Sequence, residues 1–157
     1  MINSALFFGL GRIGLPQSLV FAHAGVTVYG YDIDPQVVQS LNAGELPFFE
    51  SDMNDLYSAT WNKTFYPLTS WQEVLAKVDR KSLTVAMKGT SEQLRGQILG
   101  SMSQRGAEML REDMEALGPV KIKDVEAAQQ QIISIVRQLE TEGVVSLKGT
   151  VGEQYVV

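Results

Sequence analysis

The chain has 157 residues, 45% hydrophobic and 20% charged, enough for one ordinary core or two small ones. It has no cysteine, which excludes disulfides, thiolate zinc sites and a cysteine nucleophile; its net charge of −5 argues against nucleic-acid binding as a main activity. No apolar run is long enough to span a bilayer, and Met1–Phe8 lacks the basic start and cleavage site of a secretory signal, so the expected location is the cytoplasm.

Composition changes along the chain. Residues 1–70 hold eleven of the thirteen aromatic residues but only Arg12 and Lys63 as basic ones. Residues 71–157 hold eleven basic and twelve acidic residues, with Trp71 and Tyr155 the only aromatics. An aromatic, charge-poor half followed by a charged, helix-forming half predicts two units, 1–70 and 71–157, joined between about Thr69 and Arg80.

In chain order, Asn3–Phe8 is a short apolar run, followed by Gly9-Leu10-Gly11-Arg12-Ile13-Gly14-Leu15-Pro16. A helical pattern runs through Leu19, Val20 and Ala22 to Gly25, and a second apolar run, Val26–Tyr31, ends in Asp32. Strand, Gly-rich turn, helix, strand and acid form the context of a dinucleotide fingerprint. Gly9 would permit the tight turn, Gly11 would let the backbone approach a pyrophosphate, and Gly14 would bring helix and strand together. Arg12 and Ile13 complete the loop, whose phosphate would sit at the helix N-terminus. Asp32 would accept from a ribose hydroxyl, favouring NAD over NADP. Only one mononucleotide half is present, so the expectation is no cofactor or weak binding of NAD or AMP. The competing reading is that the three glycines serve packing alone.

The same stretch, with Tyr31-Asp32-Ile33-Asp34, Asn42-Ala43-Gly44-Glu45-Leu46-Pro47 and Glu50, resembles the N-terminus of nucleotide-sugar dehydrogenases. The resemblance covers about residues 1–70. It implies a Rossmann-like half-domain, with Thr64–Thr69 as its third strand and the next helix from Ser70 to Val78. The family's catalytic cysteine is missing, so its oxidation chemistry is not expected. In a doubly wound sheet the first strand is central; here Asn3–Phe8 lacks one neighbour, predicting cover by the C-terminal strand or by a second copy of the chain.

In the second half, Trp71–Val78, Ser82–Met87 and Ser91–Leu99 read as three short helices. Ser103 is a candidate N-cap for a helix ending at Leu117, where Gly118-Pro119 stops it. Ala107, Leu110, Met114 and Leu117 form its apolar stripe; Arg105, Glu108, Glu112 and Glu115 fall opposite. Asp124–Glu140 is a longer helix with Val125, Ala128, Ile132, Ile135 and Leu139 in its stripe. Val144–Leu147 and Gln154–Val157 are strand-like, separated by a hairpin or loop at Gly149–Gly152.

Met87-Lys88-Gly89, Ser101–Arg105, Ala107–Asp113, Leu117–Lys121 and Asp124–Gln129 resemble the C-terminal domain of FliG, the flagellar rotor switch protein, over about Trp71–Val157. The resemblance implies a helical bundle whose charged helix meets a stator's cytoplasmic loop. It assigns that role to Lys88, Arg105, Glu112, Asp113 and Lys121. Without it, these charges would read as a solvated helix face.

The expected fold is therefore α/β: a three-stranded parallel half-sheet, with the C-terminal strand as its candidate extension, followed by a helical bundle. The expected function is a non-enzymatic protein-interaction module, with the nucleotide half as scaffold. The alternatives are a nucleotide or nucleotide-sugar sensor and a partner subunit of a nucleotide-sugar dehydrogenase. Natural fusion, specialised paralogue and engineered chimera all fit the sequence.

Overall fold

The structure is a computed structural model and describes residues 1–145. The elements are β1 (Ser4–Phe8), α1 (Gly14–His23), β2 (Thr27–Tyr31), α2 (Pro35–Asn42), α3 (Met53–Thr60) and β3 (Phe65–Pro67). Helices α4 (Gln72–Lys77), α5 (Arg80–Met87), α6 (Glu92–Gly100), α7 (Gln104–Leu117) and α8 (Ile122–Thr141) follow. The three strands form one parallel sheet in the order β1-β2-β3. Parallel neighbours need crossover connections; α1 supplies the first, and α2 with α3 the second.

Side chains alternate between the two faces of a strand, and this alternation builds two cores. Phe7, Val28 and Phe65 face one way, into a cluster with Leu15, Leu19, Leu41 and Tyr57 from the three crossover helices. Leu6, Phe8, Tyr29, Tyr31 and Tyr66 face the other way, into a cluster with Trp71, Val74, Met87, Leu110, Ile132 and Val136. The sheet is thus a middle layer, with α1–α3 on one side and the helices of the second half on the other. Trp71 fixes this junction: it is 1% exposed, with its ring 5.2 Å from that of Phe8 and 6.4 Å from that of Tyr31.

Local chemistry explains most boundaries. Asp34 caps α2 by accepting from the Gln36 N–H, with Pro35 pre-set for the first turn. Asp79, Ser91 and Ser103 cap α5, α6 and α7 in the same way. Gly118, at φ 65°, ends α7.

The sequence reading gave no helix over 35–60, where α2 and α3 lie. The strand expected over Thr64–Thr69 is confined to Phe65–Pro67, although the Leu68 N–H still donates to the Gly30 carbonyl beyond it. Val144 and Val145 are bends, not strand: the Val144 N–H returns to the Leu139 carbonyl, and the Val145 carbonyl accepts from Thr69. The rest of that segment, the expected hairpin and the strand Gln154–Val157 lie outside the described residues. Among the described residues β1 stands at one end of the sheet order.

Candidate protein-binding face and the glycine loop

The glycine loop leaves β1 at Gly9, whose φ of 97° suits glycine. The Gly9 N–H donates to the Tyr31 carbonyl, 2.8 Å away. Gly14 begins α1 in contact with the loop: a Cβ there would lie 2.0 Å from the Gly9 carbonyl oxygen. Asp32 closes the arrangement. Its Oδ2 accepts from the Leu10 N–H at 2.6 Å and its Oδ1 from the Asp34 N–H at 2.8 Å. Oδ2 therefore ties the end of β2 to the loop, and Oδ1 ties it to the start of α2. Gly11, Arg12 and Ile13 are exposed, and a side chain at Gly11 would meet open space. The Arg12 guanidinium stands 5.3 Å from the Phe48 ring centroid.

The structure thus brings Gly9, Gly11, Arg12, Ile13, Gly14 and Asp32 to one end of the sheet. It also adds a residue that local spacing does not reveal. Gln97 of α6 packs on Gly9, its amide within 2.6–3.0 Å of where a Cβ would be. The second half thus presses on the first half's loop.

On α7, Ala107, Leu110 and Met114 are buried. Arg105, Glu108, Arg111, Glu112 and Glu115 are exposed. Arg105 and Glu112 are seven residues apart, two helical turns or about 10 Å along one face. Lys121 is exposed at the start of α8, and Lys88 is half-buried at the end of α5. Lys88 shares an open cleft with Gly118, Pro119, Val120 and Ile122, so it belongs with the far end of α7 rather than with Arg105. The five residues run from the end of α5 through α7 to the start of α8.

Asp113 differs from the others. It is half-buried and paired with Arg80 of α5. Arg80 also donates to the Met109 carbonyl at 3.5 Å. The Asp113 hydrogen bond holds the Arg80 guanidinium's pKa above its ordinary value. Arg80 is 33 positions from Asp113, too far for any helical spacing rule to connect them.

The sequence model of the FliG C-terminal domain matches residues 66–147. This chain belongs to the FliG C-terminal domain family. Lys88, Arg105, Glu112, Asp113 and Lys121 all lie inside the matched region. The flagellar motor switch protein FliG of Thermotoga maritima is 43% identical over 88 residues, 56% of this chain and 26% of that protein. Its counterpart in Vibrio cholerae is 43% identical over 82 residues, 52% of this chain and 24% of that protein. A crystal structure of FliG from H. pylori is 30% identical, with a TM-score of 0.47, covering 71% of this chain and 56% of that one. The chain spans about a quarter of the length of these switch-protein relatives. No helix among the described residues is long and apolar enough to cross a membrane.

Proposed function

We propose that the FliG-like half is a non-enzymatic protein-binding module whose contact face is the strip Lys88, Arg105, Glu112, Asp113 and Lys121. One observation carries this reading: α7 buries Ala107, Leu110 and Met114 and turns Arg105 and Glu112 to solvent, without an ion pair between them. Exposed charges of both signs suit fast, reversible, salt-sensitive contact with a complementary surface. Since the matched relatives are flagellar motor switch proteins, the partner we infer is the cytoplasmic loop of a stator-type protein, met in the cytoplasm. The test is binding of that loop, measured by interferometry at low and high salt. Arg105→Glu should weaken binding at least tenfold, and raising the salt should weaken the wild type. Binding that ignores both changes would rule this face out.

We keep the division into units 1–70 and 71–157 as one of origin, the first being a Rossmann-type half-domain akin to that of nucleotide-sugar dehydrogenases. Its parallel order, the left-handed Gly9 and the close Gly9–Gly14 contact support this. By this reading the half is a scaffold for the bundle. A second reading, weak NAD or AMP binding, is favoured by the open space at Gly11 and opposed by the engagement of both Asp32 oxygens. Calorimetry with NAD and AMP decides between them: heat lost on Gly11→Val supports a ligand site, and no heat at millimolar ligand supports the scaffold.

A further inference from the structure

Where the sheet meets the bundle, packing leaves an unfilled space. A cavity of about 210 Å³ lies between β1, α5, α6 and α8, walled by Leu6, Phe8, Met87, Ile98, Ile132 and Trp71. Protein interiors are ordinarily packed as densely as organic crystals, and an apolar cavity of about 150 Å³ is already large enough to hold benzene. This one is larger, and partly open to solvent.

The polar atoms on its wall specify more than size. Thr90 and Gln129 also line it, but the Thr90 hydroxyl donates to the Met87 carbonyl at 2.7 Å, and the half-exposed Gln129 donates one Nε2 hydrogen to the Ala86 carbonyl at 3.2 Å and can give the other to water. Trp71 is different. It is 1% exposed, and its indole Nε1–H is buried with no acceptor. A buried donor left without an acceptor costs about 1–3 kcal/mol. A mainly apolar wall that includes a tryptophan with a buried, unanswered donor describes a particular guest.

We propose that this cavity binds a small, mainly apolar molecule of about one substituted ring, carrying a hydrogen-bond acceptor that meets the Trp71 indole N–H. The guest sits between the two halves, touching strand and bundle together. Met87 on its wall directly precedes Lys88 of the charged strip.

The full chain has two tryptophans, Trp61 and Trp71, so ¹H–¹⁵N spectra resolve two indole signals, assigned with Trp71→Phe. Titration with acetophenone and with isopropylbenzene, its near-isostere lacking the acceptor, tests both parts of the inference. The expected result is binding of both, with acetophenone roughly tenfold tighter. Acetophenone alone should shift the Trp71 indole signal downfield. Ala86→Leu, which fills the cavity, should abolish both; Trp71→Phe should keep isopropylbenzene binding and remove acetophenone's advantage. If neither compound perturbs resonances of the lining residues at millimolar concentration in the wild type, there is no such site. Equal affinities with a still indole signal would overturn the assigned acceptor chemistry.

Discussion

Gly14→Ala should destabilise the protein, against the rule that alanine improves a helix. By propensity alone, the change at the first residue of α1 would stabilise it by about 0.5–1 kcal/mol. The structure reverses the sign. The added Cβ would stand 2.0 Å from the Gly9 carbonyl oxygen and 3.1 Å from its carbon, where real Cβ atoms stay beyond 3.0 Å. The loop must therefore open by about 1 Å. That movement pulls on the Gly9-to-Tyr31 and Leu10-to-Asp32 hydrogen bonds, at 2.8 and 2.6 Å. Overpacking costs about 1–3 kcal/mol and one lost hydrogen bond about 1 kcal/mol. After the propensity gain, the net loss is about 1–3.5 kcal/mol. Urea unfolding of the full chain, followed by far-UV circular dichroism, reads this as a lower midpoint at unchanged slope. Gly11→Ala is the control: it meets open space and should shift stability by less than about 0.5 kcal/mol. A Gly14→Ala protein as stable as the wild type would refute the proposed packing role of this glycine.

Two further outcomes follow from the charged helices. Arg80→Ala removes an exposed ion pair, so the urea midpoint should barely move; stator-loop binding should nevertheless change, because Asp113 loses its partner, and an unchanged affinity would remove Asp113 from the face. Asp79 accepts from the Ser82 hydroxyl and backbone N–H, which lowers its pKa below 3.8. Because the folded value lies below the unfolded one, its contribution to stability is present above about pH 4 and disappears as pH falls through the folded pKa. Asp79→Ala should therefore flatten the acid limb of the midpoint-versus-pH curve between pH 5 and pH 2, and an identical limb would show that the cap is immaterial.

What could be read from sequence follows the range of the interactions involved. The glycine loop and α7 announce themselves locally, through a strand–glycine–helix pattern and through Ala107, Leu110 and Met114 at helical spacing. Asp34-Pro35 is an equally local start signal for α2, and it was there to be used. α3 follows Ser51-Asp52 and has Asp55 in its first turn, but Asp52 stands at φ 67° and makes no side-chain cap, so its local signal and its geometry disagree. The contacts that shape the two candidate sites are tertiary. Gln97 reaches Gly9 from a different layer of the fold, and Arg80 meets Asp113 across two helices. No window of sequence contains either pair.

The Arg80–Asp113 pair alters what the strip can recognise. Read as sequence, α7 offers two adjacent acids, Glu112 and Asp113. In the fold these have different surroundings: Glu112 faces solvent, while Asp113 is half-buried and already answered by a guanidinium. A partner approaching α7 thus meets Arg105 and, two turns on, the exposed carboxylate of Glu112. By the proposed reading, specificity rests on that pair, with Lys88 and Lys121 adding positive charge beyond the end of the helix. Exchanging the signs, Arg105→Glu with Glu112→Arg, keeps net charge and helix propensity but inverts the order. The double variant should lose the wild-type stator loop and regain a loop whose acid and base are exchanged. A surface that acted through net charge alone would bind both loops equally.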